Sequence, residues 1–185
     1  FDLTDALTLT GGMRFFRNEN SLKGYFGFGD WGWSSTGEAS CVSPDDYNGA
    51  PCLSFDKDTS EDDHIGKLNL TWNIDDTKLV YATWSEGYRP GGINRRGTLP
   101  PYQSDFLTNN ELGWKTTWAD NRLMFNGALF RESWDDFQFA YLGQNGLTEI
   151  RNAGDARIRG IEADLLLRLV PGLTRSTGTS PNNAK

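Results

Sequence analysis

The stretch GIEADLLLRL, Gly160 to Leu169, changes character at almost every step. Ile161, Ala163, Leu165, Leu167 and Leu169 fall on one side of an extended chain, and Glu162, Asp164 and Arg168 on the other. A period of two marks a β-strand, whose successive side chains point to opposite faces. A helix would need its apolar residues three and four apart. The apolar side runs unbroken to the end of the segment, as contact with hydrocarbon requires, while the charged side suits water. Such a strand belongs either to a soluble sheet or to the wall of a membrane barrel, and its neighbours have to decide.

The alternation recurs in five further segments. In Leu7 to Phe16, Leu7, Leu9, Met13 and Phe15 oppose Thr8, Thr10 and Arg14. In Ile65 to Ile74, Leu68, Leu70, Trp72 and Ile74 oppose Lys67, Asn69, Thr71 and Asn73. Lys78 to Tyr88 begins apolar on both faces, so its facing is ambiguous. Leu112, Trp114 and Trp118 oppose Glu111, Lys115 and Thr117; Leu123, Phe125 and Leu129 oppose Met124, Asn126 and Ala128. Connections alternate in length. Asp75–Asp76, Ala119 to Asn121 and Pro171–Gly172 are short; Asn18 to His64, Arg89 to Asn109 and Asp135 to Glu149 are long. Short turns at one end and long loops at the other are the habit of outer-membrane barrels. The expected fold is all-β, an antiparallel meander of about six strands from a large transmembrane barrel. Leu9, Met13, Leu68, Leu70, Leu112, Trp114, Leu123, Phe125, Leu165 and Leu167 are assigned to lipid. Glu111, Lys115, Glu162, Asp164 and Arg168 are assigned to the lumen.

Composition permits this. Only 37% of the 185 residues are apolar and the mean hydropathy is -0.58, values that suit a wall wet on one side as well as a soluble domain. The apolar run Leu165 to Leu167 stops at Arg168, and no run approaches the roughly 20 residues of a membrane helix. The net charge of -7 argues against a nucleic-acid partner. The opening Phe1–Asp2–Leu3–Thr4 is no signal peptide; for an exported protein, a missing N-terminus is expected.

Three stretches resemble TonB-dependent receptors: LVYATWSEGYRPGG (Leu79 to Gly92), TNNELGWKTTWADNRLMFNGALFRESWDDFQ (Thr108 to Gln138) and IRNAGDARIRGIEADL (Ile150 to Leu165). The opening LTLTGGMRF fits too, and order and spacing match over residues 1 to about 172. Residues 173–185 read as a polar tail or a truncated next strand. The family's N-terminal plug and energy-coupling box are not among these residues, and the tail lacks the closing aromatic of family barrels, so truncation at both ends is expected. The resemblance implies an outer-membrane barrel of about 22 strands. It implies import of a scarce ligand (a siderophore complex, a vitamin or an oligosaccharide), with membrane lipid and the TonB system as partners, the latter through the plug. The alternatives are a soluble or surface glycan-binding β-domain and a small outer-membrane pore.

Candidate site residues lie in the long loops. Arg89, Arg95 and Arg96 could grip a carboxylate or phosphate, or form a solvated face or a contact to lipopolysaccharide phosphates. Gly87, Gly91 and Gly92 around Pro90 read as a strand-exit turn needing unusual backbone angles. Trp31 and Trp33, in the glycine–aromatic run GYFGFGDWGW, offer flat faces to a ligand, or simply extend the wall above the membrane. His64 is the sole histidine and sits in an acidic loop without metal-ligand spacing. No nucleophile elbow or catalytic triad is visible, so neither metal, cofactor nor enzymatic role is expected. Cys41 and Cys52 share one polar segment, and an even count in an exported chain suits an oxidising compartment. A disulfide between them is expected, worth about 2–4 kcal/mol at most and only locally. Intact-mass analysis after alkylation without reductant should find no added alkyl group; two additions would refute the bond.

Overall fold

An extended chain carries unpaired N–H and C=O groups along both edges, and in hydrocarbon only a neighbouring strand can satisfy them. The computed structural model describes residues 1–25, 41, 46, 48–50, 52–95, 99–143 and 148–185. Their elements are all strands: β1 (Asp2–Thr4), β2 (Leu7–Gly24), β3 (Phe55–Asp75), β4 (Lys78–Arg89), β5 (Asp105–Trp118), β6 (Leu123–Asp135), β7 (Gln138–Leu142), β8 (Thr148–Asn152), β9 (Ala156–Val170), β10 (Leu173–Thr179) and β11 (Asn182–Ala184). One antiparallel sheet runs in the order β1-β2-β3-β4-β5-β6-β9-β10, with β11 also on β9; β7 and β8 form a separate hairpin. The six expected strands are β2, β3, β4, β5, β6 and β9. Direction alternates, so the connections after β2, β4 and β6 share one end and those after β3, β5 and β9 the other.

The sheet departs from the sequence expectation in two places. First, β2 and β3 are 18 and 21 residues long and pair through Gly24↔Phe55, so much of the expected loop Asn18 to His64 is strand. At about 3.3 Å per residue this hairpin reaches far beyond a hydrocarbon band of about 25 Å. Above the membrane both faces are wet, so alternation is lost while opposite charges take over the pairing. Lys23 lies directly across from Asp56, 2.6 Å away. Second, the loop expected from Asp135 to Glu149 contains most of the β7–β8 hairpin. Residues 173–185, read from the sequence as a polar tail or a truncated next strand, are strand: β10 and β11 follow the free edge of β9, interrupted at Ser180–Pro181. Proline has no N–H to donate to a ladder, and Pro181 contributes only its carbonyl, to the Ile161 N–H at 3.1 Å.

Register carries one face from β2 to β9. Leu9, Leu70, Ala82, Leu112, Leu129 and Ile161 are successive cross-strand partners. One residue along, the row reads Thr10, Asn69, Thr83, Glu111, Phe130 and Gly160. By this parity all ten residues assigned to lipid share one face, and Glu111, Lys115, Glu162, Asp164 and Arg168 the other. The ambiguous β4 follows: Val80, Ala82 and Trp84 join the apolar side. That side has no cover; Met13 is 63% exposed and Leu165 37%. The buried apolar residues among those described are Cys52, Phe55 and Ala128, so these leucines do not form the core of a sandwich.

The apolar belt also slants. On β2 it is centred near Gly11, but the row through Gly11 arrives at Arg159, six positions short of Leu165, the middle of the belt on β9. A slide of about 20 Å over about five strand spacings of about 4.8 Å gives a tilt of about 40°, within the range for membrane barrels.

Glycine opposite an aromatic ring is the local packing rule. Tyr81 faces Gly113 and Phe130 faces Gly160 on the polar side, while Trp114 faces Gly127 on the apolar side. A Cβ at any of these glycines would collide with the facing ring. At the short-turn end, Asp75 accepts hydrogen bonds from Lys78 Nζ and the Thr77 N–H, both at 2.8 Å, which hold its carboxyl well below the usual carboxylate range. Lys78 also sits 4.5 Å over the Trp118 ring, a cation–aromatic pair at the foot of the belt.

Placing an arginine on the uncovered face should be costly. In the assembled barrel, Leu165→Arg is expected to lower unfolding stability in lipid by about 2–4 kcal/mol if it lies near the midplane. Glu162→Gln, whose carboxylate takes one exposed hydrogen bond from Ser180 at 3.0 Å, should cost under about 1 kcal/mol. Denaturant titration of both variants in vesicles checks this, and a neutral Leu165→Arg would contradict it.

Candidate functional site: a cemented loop rim

Beyond the belt, the chain between β4 and β5 and the β7–β8 hairpin are locked together by buried polar side chains. Arg89 ends β4 and Asp105 starts β5, directly across from it. Asp105 is 1% exposed. Its Oδ2 accepts hydrogen bonds from Arg89 Nε at 3.1 Å and from the Gln138 N–H at 2.8 Å. Arg89 Nη2 ion-pairs with the same oxygen and donates to the Gln138 carbonyl at 2.9 Å. Its guanidinium lies 5.4 Å from the Trp134 ring centre and 5.6 Å from that of Phe137. A buried carboxylate is tolerable only when so paired.

Side-chain amides extend the join. Gln138 Nε2 donates to the carbonyls of Pro90 and Gln103, both at 3.0 Å. Asn94 exchanges bonds with the backbone of Ile150, Nδ2 to O at 2.9 Å and N to Oδ1 at 2.8 Å. Asn152 does the same to Gln103, at 3.0 and 2.9 Å. A primary amide has the donor and acceptor of a peptide unit, so each asparagine stands in for a ladder residue where the strands do not meet.

The end of β4 and the loop after it are also tied to the tall β2–β3 hairpin. Asn18 Nδ2 donates to Tyr88 Oη at 2.7 Å, and Tyr88 stacks on Phe16 with centroids 3.7 Å apart. Ser104 donates to Glu61, and Lys57 Nζ to the Leu99 carbonyl at 2.7 Å; burial lowers the Lys57 pKa. Gly91 and Gly92 matter through space rather than backbone angle, contrary to the turn expected: neither has a positive φ. A Cβ on Gly91 would stand 2.5 Å from the Tyr102 carbonyl oxygen.

The other side of the hairpin carries Phe139, 51% exposed, stacked with Tyr141 at 6.2 Å. Arg151 lies 5.7 Å from the Tyr141 ring centre. Tyr141 donates its hydroxyl to the buried Glu149 at 2.8 Å, which raises its pKa. Of the expected site residues, Arg89 is thus bound into the rim, Arg95 is exposed beside it, and Trp31, Trp33 and Arg96 lie outside the described residues. Cys41 and Cys52 are joined, their Cα atoms 5.7 Å apart. His64 pairs with Asp63 at 3.3 Å, and among the described residues no group of three or more His, Cys, Asp or Glu is placed to hold a metal. Sequence reasoning missed Asp105, Gln138, Asn94 and Asn152 as rim residues, because Asp105 meets an arginine 16 residues away and the three amides bond to backbone groups of distant segments.

Asp105→Ala should loosen this rim without unfolding the wall. Because Arg89 is 45% exposed, the cost is expected at about 1–3 kcal/mol. Hydrogen exchange of the Gln138 amide in the assembled barrel should quicken about tenfold or more while β5 and β6 amides hold; unchanged Gln138 exchange would contradict the assignment.

Three comparisons bear on identity. The model of the family described as TonB dependent receptor-like, beta-barrel, matches residues 1–184. The pesticin receptor of Yersinia enterocolitica is 28% identical over 180 residues, 92% of this chain and 22% of the relative. The ferric yersiniabactin uptake receptor FyuA from Yersinia pestis superposes with a TM-score of 0.73 at 22% identity, over 99% of this chain and 25% of that structure. The Ferric-Catecholate import receptor Fiu from E. coli K12 does so at 0.67 and 19%, over 98% and 23%. The chain thus spans about a quarter of the length of the proteins it matches. Members of the family are receptors of the Gram-negative outer membrane. The chain belongs to the TonB-dependent receptor family and forms part of its β-barrel wall.

Proposed function

We propose that this chain supplies one sector of a closed outer-membrane barrel that imports a metal chelate of the siderophore class. Transport would be driven by the TonB system through a plug in the lumen. The observation that carries it is the pairing of a slanted, uncovered apolar belt with a polar inner face and a braced rim at the long-loop end. Such a wall separates lipid from a wet passage and holds loops still above it. The names of two similar solved structures, which speak of ferric yersiniabactin and ferric catecholate, favour an iron chelate over a vitamin or glycan.

In this scheme the residues divide their work. Arg89, with its charge committed to Asp105, positions the rim. Arg95 and Arg96, with Trp31 and Trp33, are proposed to contact the ligand: guanidinium for an anionic chelate, indole for its flat rings. Phe139, Tyr141 and Arg151 offer a second surface of the same chemistry. The protein acts by binding and passage, without altering covalent bonds in its ligand. A soluble glycan-binding module is disfavoured because an uncovered belt of this extent would aggregate in water.

The test is uptake of radiolabelled ferric chelates by cells that lack their own iron-chelate receptors and carry the full-length receptor containing this sector. Uptake of a chelate that requires TonB is expected, with the ligand recovered chemically unchanged. Arg95→Ala combined with Arg96→Ala should weaken binding about tenfold, roughly the worth of one charge-assisted contact. TonB-dependent uptake of an oligosaccharide or vitamin alone, or none at all, would overturn the proposal.

A further inference from the structure

The outward face of β6 and β9 carries an arginine cluster directly above the apolar belt. By register parity Arg131, Arg157 and Arg159 point to the same side as Leu129 and Ile161. Arg131 and Arg159 are direct cross-strand partners, and Arg157 follows two positions further from the belt. All three are exposed. No acid forms an ion pair with any of them among the described residues. Like charges directly opposite in a sheet destabilise it, and among the described residues no acid relieves this pair. The β2–β3 part of the outward face is built differently. There Arg17 lies 2.8 Å from Glu19 and 3.8 Å from Asp62. The unpaired positive patch stands out on a chain whose net charge is -7.

Two recesses meet at Arg131. The upper one is lined by Arg131, Arg157, Ile158 and Arg159, with Asn183 of β11 and Lys185 beside them. The lower one runs down the apolar face between Leu68, Leu70, Ala82, Trp84, Leu112 and Leu129, and Arg131 stands on its edge. Two residues of strand rise about 6.6 Å, so the arginines stand at headgroup depth while the lower groove opens into hydrocarbon. The long-loop end of such barrels faces outward, which puts the cluster in the outer leaflet. Guanidinium groups in an array match phosphate oxygens two at a time. An apolar groove leading up to that array fits the acyl chain of the same molecule.

We propose that this face binds a multiply phosphorylated lipid of the outer leaflet, its phosphates on Arg131, Arg157 and Arg159 and one acyl chain in the groove below. The site needs the barrel's orientation in the membrane but not the transport reading, so lipid retention is measured apart from uptake.

The experiment is native mass spectrometry of the full-length receptor in detergent, titrated with bisphosphorylated lipid A, with the same lipid stripped of phosphate, and with inorganic phosphate as competitor. Folding of each variant is first checked by heat-modifiable gel migration. Wild-type receptor should retain the bisphosphorylated lipid, and R131Q/R159Q should retain it about tenfold less. R131K/R159K, which keeps the charge, should fall between, and R17Q, outside the cluster, should match wild type. If the double glutamine variant fails to fold, R157Q alone should still show weakened retention. Equal retention by R131Q/R159Q, or by R157Q where it stands in, would overturn the proposal, as would equal binding of the phosphate-free lipid. Displacement by millimolar inorganic phosphate would also overturn it, because it would mark a free-anion site.

Discussion

Every backbone N–H and C=O within the hydrocarbon has to find its partner on the neighbouring strand, and the rest of this structure follows from that requirement. A strand so held cannot rotate about its axis, so the parity set by one register passes to the next. It carries the apolar row of Leu9 across to Ile161 without a break. Facing is therefore a property of the sheet rather than of any one strand. The same constraint explains the glycines opposite Tyr81, Trp114 and Phe130: ladder spacing is fixed, so a large ring is accommodated by removing the side chain it faces.

Outside the hydrocarbon the constraint relaxes, and the chain changes its chemistry while keeping its geometry. Water can satisfy backbone groups there, so the upper β2–β3 hairpin no longer needs an apolar face. Charge pairs such as Lys23–Asp56 take over its register. The rim above β4, β5 and β6 goes further and uses side-chain amides as substitute peptide units. Asn94, Gln138 and Asn152 join segments whose backbones cannot come into register, and Asp105 with Arg89 anchors the join. A rim braced in this way holds its exposed aromatic and cationic side chains in place, and under the proposed function that would lower the ordering cost of binding a ligand.

What the sequence discloses follows the same division. Within the belt, alternation marks the six long strands and sorts their faces, because one side of each must be apolar. It leaves β4 ambiguous, since Leu79, Val80 and Tyr81 satisfy either side; only pairing to β3 and β5 settles it. Outside the belt the pattern falls silent. The upper β2–β3 hairpin is wet on both faces, so a two-residue period has nothing to report; β10 runs beside the belt of β9 but carries no apolar row of its own, since Arg175 and Thr177 stand across from Leu167 and Leu165. The rim was the least legible part. Arg89 stood out as a charge beside a turn and suggested a ligand contact, whereas its partner Asp105 lies 16 residues away. Gln138 enters the sequence reading only as the end of a stretch that resembles the family, because its side-chain bonds go to backbone carbonyls that no residue type announces.

The central claim is that one parity of each strand meets lipid and the other meets water. Spin labels at 162, 164, 165 and 167 in the full-length receptor, reconstituted in lipid, test it most directly. Labels at 165 and 167 should collide with lipid-dissolved oxygen and be shielded from an aqueous paramagnetic quencher, and those at 162 and 164 should show the reverse. Four labels behaving alike, or 165 and 167 hidden from both probes, would contradict a lipid-facing wall.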